Sequence, residues 1–286
     1  MESGQEAQEL RRIDELRAQV KRMPREHAVL QLAIAVLFAG YIGVFAFTGS
    51  AEGGVQAFGG TTATLILPPV IISSALVSGA NERFGKRVLL TRADWIAVAL
   101  FVIMVAAVFV WGIVADRHPD TIDRYPWWVA LVLAVVALVV FSARPLAVIL
   151  RTDAPIADRA EERSVGLSLP VRLTTAFLGV FFGLVCAVVF VPALGWLVMM
   201  LGMMIVVIGL AVRNEPWGFL NVGYEWRVPQ WIAFGFASLV MFLLALLIAA
   251  TDVVTPGIAA GAGALVAASL IVSALLPGRS RGASAA

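Results

Sequence analysis

The sequence is poor in nearly everything that a soluble enzyme uses. Charged residues make up 14% of its 286 positions, where a soluble domain carries roughly a quarter. There is a single cysteine, Cys186, so no disulfide framework can form within the chain. Cys186 lies in an apolar stretch and reads as a small packing residue. The two histidines, His27 and His118, fall on opposite sides of the topology derived below. No histidine-based metal or haem site can therefore form within one chain. The sequence has no nucleotide-binding glycine loop, no Ser/His/Asp or Cys/His arrangement, no acidic metal cluster and no nucleic-acid surface. No cofactor, no metal and no catalytic residue is expected.

What is there is hydrophobic: 60% of the chain. The centre carries forty consecutive residues without a charge, from Leu173 to Val212, interrupted near the midpoint by Pro192 and Gly195. Each side is long enough to cross a hydrocarbon core of ~30 Å as a helix. This predicts a membrane hairpin turning at Val191-Pro192-Ala193-Leu194-Gly195. Similar runs predict eight spans near 28–47, 61–80, 95–115, 127–146, 172–191, 194–212, 231–250 and 254–276. The expected class is an all-α, polytopic membrane protein without a soluble domain. Pro68-Pro69 should kink or break the second span, because proline removes a helix N–H and clashes with the preceding turn.

Residues 1–27 form a polar N-terminal segment rather than a cleavable signal. Within residues 1–23, Ile13, Leu16, Val20 and Met23 follow 3-4-3 spacing, and Pro24 ends the pattern. The segment reads as a short amphipathic helix leading to the membrane. The lysines and arginines divide nineteen to two across the eight spans, with Arg117 and Arg124 alone on the minority side. The excess side is cytoplasmic, so both termini are expected inside a plasma membrane. The strong arginine bias suggests a high-GC bacterial source. No loop can house a folded domain; the largest joins span four to span five.

The two halves resemble each other. Asn81-Glu82-Arg83-Phe84-Gly85 follows span two, and Asn214-Glu215-Pro216-Trp217-Gly218 follows span six. Trp95-Ile96-Ala97 and Trp231-Ile232-Ala233 open the spans after them. Phe38-Ala39-Gly40 pairs with Phe177-Leu178-Gly179, and Ser142-Ala143 with Ser273-Ala274. All offsets lie between 131 and 139 residues. This predicts a tandem duplication: a four-helix unit at 28–146, a connector at 147–169, a second unit at 170–277 and a tail at 278–286. An even unit keeps both copies in the same orientation, related by an axis along the membrane normal.

Ionisable residues inside a bilayer usually mark function, because burying them is costly. None lies well inside any span; Asp94, Arg144, Arg172 and Asp252 stand at span ends. Ser73-Ser74, Thr174-Thr175, Tyr41 and Gln31 are expected to bond their own helix or a neighbour. Gly179 and Gly183, Gly257 and Gly261, and the series Gly195, Gly202, Gly209 predict close packing of spans five, six and eight. The candidate contact surface is then cytoplasmic: Asn81, Glu82, Gly85, Asn214, Glu215 and Gly218. The aromatic loop from Trp217 to Trp231 is expected to anchor in the headgroup region.

Three functions fit. One is a non-catalytic, permease-like or scaffolding component of a membrane complex. Its partners would be the lipid bilayer and another membrane or cytoplasmic protein, held through residues 1–23 and the cytoplasmic loops. The second is a transporter or flippase for an apolar or lipid-like solute. The third is a lipid enzyme using Asp153, Asp158, Glu161 and Glu162, whose pattern is that of an ordinary solvated helix. No nucleic-acid partner is expected.

Overall fold

In lipid a backbone can satisfy its polar groups only within the segment, so long apolar runs must become helices. The computed structural model describes residues 25–50, 61–83, 92–150, 165–212 and 215–278. The helices are α1 (Arg25–Thr48), α2 (Thr61–Arg83), α3 (Arg92–Arg117), α4 (Trp127–Leu150), α5 (Leu169–Ala187), α6 (Pro192–Ala211), α7 (Phe219–Glu225), α8 (Val228–Ala250) and α9 (Pro256–Leu275). The strands β1 (Val165–Gly166) and β2 (Pro277–Gly278) pair antiparallel, tying the start of α5 to the end of α9. Helices α5, α6, α8 and α9 all begin with proline at the first or second position. There its missing N–H costs nothing. For the same reason the central turn comes earlier than expected: it closes through Val191 N–H to the Val188 carbonyl (2.8 Å), and Pro192 already opens α6.

Among the described residues, seven helices are long and apolar enough to cross a membrane: α1, α3, α4, α5, α6, α8 and α9. The chain is a helical, multi-pass membrane protein. The eighth expected span, α2, is a long helix whose apolar part covers only Thr64–Ala80. At ~1.5 Å per residue that part falls short of a ~30 Å core. The helix also runs without interruption through Pro68 and Pro69, both of them buried. The prolines remove two N–H groups from a continuous helix and do not end it.

The interior is divided unequally. A smaller core joins α1, α3 and α4 around Ala39, Ile42, Phe101, Leu133 and Ala137. A larger one joins α5 to α9, and α2 contributes Leu65, Ile66, Ile72 and Leu76 to it. The core therefore does not divide at the chain's midpoint. Within each half, one helix pair packs most extensively: α1 with α4, and α5 with α9. Small residues let both pairs close. A Cβ at Gly43 would lie 2.9 Å from Ala134 Cβ, and one at Gly183 would lie 2.7 Å from the Gly263 carbonyl and 2.8 Å from Ala267 Cβ.

Candidate functional site

One end of the bundle gathers the C-terminal ends of α2, α6 and α9, the N-terminal ends of α5 and α8, the β1–β2 pair and α7. Its polar side chains connect elements. The carboxylate of Glu225, at the end of α7 and buried, accepts from the Ser168 N–H and from the Ser168 hydroxyl, both at 2.9 Å. Ser168 precedes α5, so this carboxylate satisfies a donor at a helix N-terminus, where its charge is favoured. Gln230, fully buried in the first turn of α8, accepts from the Arg227 N–H (3.0 Å) and donates to the Ser273 carbonyl of α9 (3.0 Å). Trp226 Nε1 donates to Thr175 Oγ1 (3.0 Å), which itself donates to the Val171 carbonyl (2.8 Å). Thr174 shares its one hydroxyl hydrogen between the Pro170 carbonyl (3.0 Å) and that of Trp217 (3.3 Å). The guanidinium of Arg172 lies beside Gly166, close enough that a Cβ there would be 3.3 Å from Nη2.

The aromatic loop differs from expectation. Trp226 and Phe219 are core residues, 1% and 2% exposed, rather than headgroup anchors. Trp226 packs on Trp231 and Phe234, with ring centroids 5.3 and 5.7 Å away. Of the loop's tryptophans, Trp217 is the exposed one. The cause is α7, which folds the loop back onto α2.

Among the expected contact residues, Glu215 is exposed, while Gly218 is buried just before α7. The Glu215 carbonyl accepts from Gly218 N–H and from Asn221 Nδ2. Asn81 and Glu82 lie in the last turn of α2, whose Gly79 abuts Leu220 of α7. The Asn81-Glu82 turn and Glu215 thus come to the same end of the bundle, flanking α7. Gly85 and Asn214 lie outside the described residues, as do residues 1–23 and the acidic group Asp153, Asp158, Glu161 and Glu162.

The packing glycines divide. Gly179 and Gly183 both meet α9. Gly202 accommodates the ring of Phe181, and Gly209 that of Phe219, whereas Gly195 has open contact only. Gly257 and Gly261 do not face α5: a Cβ at Gly257 would meet only Thr255, and at Gly261 nothing within 4 Å. Gly263 fills that role, two residues along, because the inward stripe of α9 runs Ala259, Gly263, Val266, Leu270. Ser73 and Ser74 bond the carbonyls three residues back in their own helix, both at 2.7 Å.

At the opposite end the loop between α3 and α4 is tied down locally. Arg124 pairs with Asp116 (2.6 Å), and Trp111 Nε1 donates to the Asp123 carbonyl (3.0 Å). The buried hydroxyl of Tyr125 donates to the Ala46 carbonyl at the end of α1 (2.7 Å). Burial pushes its pKa up to about 12; Asp116 adds to the rise and Arg124 opposes it.

Among the described residues, no three His, Cys, Asp or Glu side chains are grouped to hold a metal ion. Comparison with protein-family models, curated proteins and solved structures finds no match for this chain.

Proposed function

We propose that the chain is a non-catalytic, permease-like or scaffolding component of a bacterial plasma-membrane complex, engaging a protein partner through its cytoplasmic loops. One observation carries this: the buried polar side chains at the loop end are used to tie helices together. Glu225 holds α7 to the start of α5, and Gln230 holds α8 to the end of α9. What this end presents outward is Glu215, Pro216 and Trp217, next to the turn that carries Asn81 and Glu82. The arginine distribution supports an inside position for this end. On this reading α2 counts as an eighth span, giving eight transmembrane helices with both termini cytoplasmic.

The reading includes a duplicated four-helix unit. Its support is that contact pairs correspond. Gly43–Ala134 and Gly183–Ala267 are related by shifts of 140 residues in the first member and 133 in the second, one and two residues beyond the offsets of the Phe38/Phe177 and Ser142/Ser273 matches. The same shifts carry the buried set Ala35, Ala39, Ile42, Ala46 onto Thr175, Gly179, Phe182, Cys186, and Ala130, Leu133, Ala137 onto Gly263, Val266, Leu270.

The test is purification from the source membrane in mild detergent, with cross-linking and mass spectrometry. A stoichiometric protein cross-linked near Glu215 or Glu82 is the expected result. A chain that elutes alone with a bound lipid or small apolar molecule overturns it. That outcome favours the transporter, or flippase, whose supporting observation is the exposed pair Ser74 and Ser78 on the proline-bearing α2.

A further inference from the structure

An arginine stays charged and carries five N–H donors, so a guanidinium taken partly out of water needs acceptors and a counter-charge. Arg172 lies in the first turn of α5 and is half-buried. Two contacts with the α7 segment hold that turn in place. Ser168, four residues before it, bonds Glu225, and Thr175, three residues after it, accepts from Trp226. The Nε of Arg172 is enclosed and has no hydrogen-bond acceptor, while the outer nitrogens of the guanidinium are not enclosed. Among the described residues no carboxylate is paired with it, and that of Glu225 is turned to Ser168 instead. Gly166 stands beside Nη2 without a side chain to cover it.

On a helix of 3.6 residues per turn, Leu169, Leu173, Val180 and Leu184 form one row along α5. They are 66%, 61%, 45% and 46% exposed. The row lies between the face that meets α9 through Gly179 and Gly183 and the face that meets α6 through Phe181. At the loop end Arg172 stands on its α9 side. Thr174, whose hydroxyl reaches the Trp217 carbonyl, stands on its α6 side. Trp217 is exposed. A row of aliphatic side chains open to lipid therefore ends between a cation that lacks a counter-charge and an exposed indole.

We propose that Arg172 binds the phosphate of an anionic membrane lipid, with an acyl chain along Leu169, Leu173, Val180 and Leu184 and the Trp217 ring at headgroup level. The guanidinium offers parallel N–H donors to two phosphate oxygens, and the phosphate supplies the charge that the protein does not. The apolar row favours a lipid over free phosphate, which would use the guanidinium alone. A zwitterionic lipid brings its own cation to the phosphate, so an anionic one is preferred. The inference is independent of the scaffolding reading: a lipid on the open face of α5 is compatible with a protein partner at Glu215, and it holds whichever side of the membrane this end faces.

Native mass spectrometry of the full chain in detergent, titrated with phosphatidylglycerol, phosphatidylcholine or inorganic phosphate, tests this. Phosphatidylglycerol should be retained about fivefold more tightly than phosphatidylcholine, the order that one interfacial arginine supplies. Inorganic phosphate should not displace it. Arg172→Gln should abolish the preference, and Arg144→Gln, the same charge change on α4, should leave it. Equal retention of the two lipids, or a preference unchanged in Arg172→Gln, overturns the proposal. Displacement by inorganic phosphate overturns the lipid and leaves an anion site. A phosphatidylglycerol with a diazirine in its acyl chain tests the natural chain, whether or not Arg172→Gln folds. Its label should concentrate on residues 169–184, and label spread evenly over the exposed faces of α3, α4 and α6 overturns the proposal.

Discussion

Gly79 of α2 and Gly223 of α7 each occupy the space that the other helix leaves for no side chain. A Cβ at Gly79 would overlap the carbonyl of Leu220, and a Cβ at Gly223 would overlap the carbonyl of Leu76. The contact is reciprocal because both segments read Leu-x-x-Gly: Leu76-Val77-Ser78-Gly79 and Leu220-Asn221-Val222-Gly223. It brings two backbones together and fixes α7 against α2, which determines where Glu215 and Trp217 are presented.

Gly79→Ala and Gly223→Ala should therefore both destabilise. Alanine is the better helix former by about 1 kcal/mol. Overpacking against backbone that cannot swing away costs roughly 1–3 kcal/mol, so the loss prevails. Gly261→Ala, which meets nothing within 4 Å, should be neutral or slightly stabilising. Thermal unfolding midpoints in detergent check all three. Gly79→Ala unfolding no earlier than Gly261→Ala would contradict the close approach.

The Ser168–Glu225 contact predicts a graded series. Ser168→Ala removes one bond and keeps the N–H donor satisfied, costing about 1 kcal/mol. Glu225→Ala strands the half-buried Ser168 N–H as well and should cost about 2 kcal/mol. Glu225→Gln can still accept from the N–H while its amide donates to the Ser168 oxygen, so it should fall near Ser168→Ala. The order of unfolding midpoints is the readout; equal effects of Ser168→Ala and Glu225→Ala would place the carboxylate's role elsewhere.

Gln230 faces the carbonyls of Ser273, Leu276 and Pro277 at 3.0–3.5 Å. Gln230→Leu should cost about 1–3 kcal/mol, since the Arg227 N–H loses its acceptor. Gln230→Glu should cost more at neutral pH, because a carboxylate would sit against carbonyl oxygens. Unfolding midpoints of the two variants at neutral pH are the readout, and Gln230→Glu unfolding no earlier than Gln230→Leu would refute this.

Tyr125 gives a pH dependence of the natural chain. Its pKa is raised from 10.0 to about 12, so the fold favours the protonated phenol. That stabilisation is complete below pH 10.0 and fades as pH rises through about 12. Tyr125→Phe should lower stability at neutral pH by about 1 kcal/mol, at the low end because the Ala46 carbonyl keeps the Gly49 N–H (3.1 Å). The gap between the natural chain and Tyr125→Phe should close between pH 10 and 12. A gap that stays constant would deny the buried hydrogen bond.

The helix positions were legible in the sequence. Each expected span has a helix within a few residues of its limits, because an uncharged run such as Leu173–Val212 has no other way to satisfy its backbone in lipid. The prolines at 170, 192, 229 and 256 also mark helix starts, and small residues on α5 mark its close approach to α9. Which face of each helix turns inward was not legible. A membrane helix is apolar all round, since lipid and protein interior both accept leucine and valine, so the periodicity that orients a soluble helix is absent. Hence the small-residue spacing pointed to Gly257 and Gly261, and only packing chose Gly263. The same holds for Trp226: its composition suits a headgroup anchor, and it is the fold of α7 onto α2 that drives it into the core beside Thr175. The sequence by itself determined where the apolar helices lie. The tertiary structure decided that α2 joins the larger core and that α8 but not α3 crosses to the other half, because those choices depend on shape between helices whose chemistry is nearly the same.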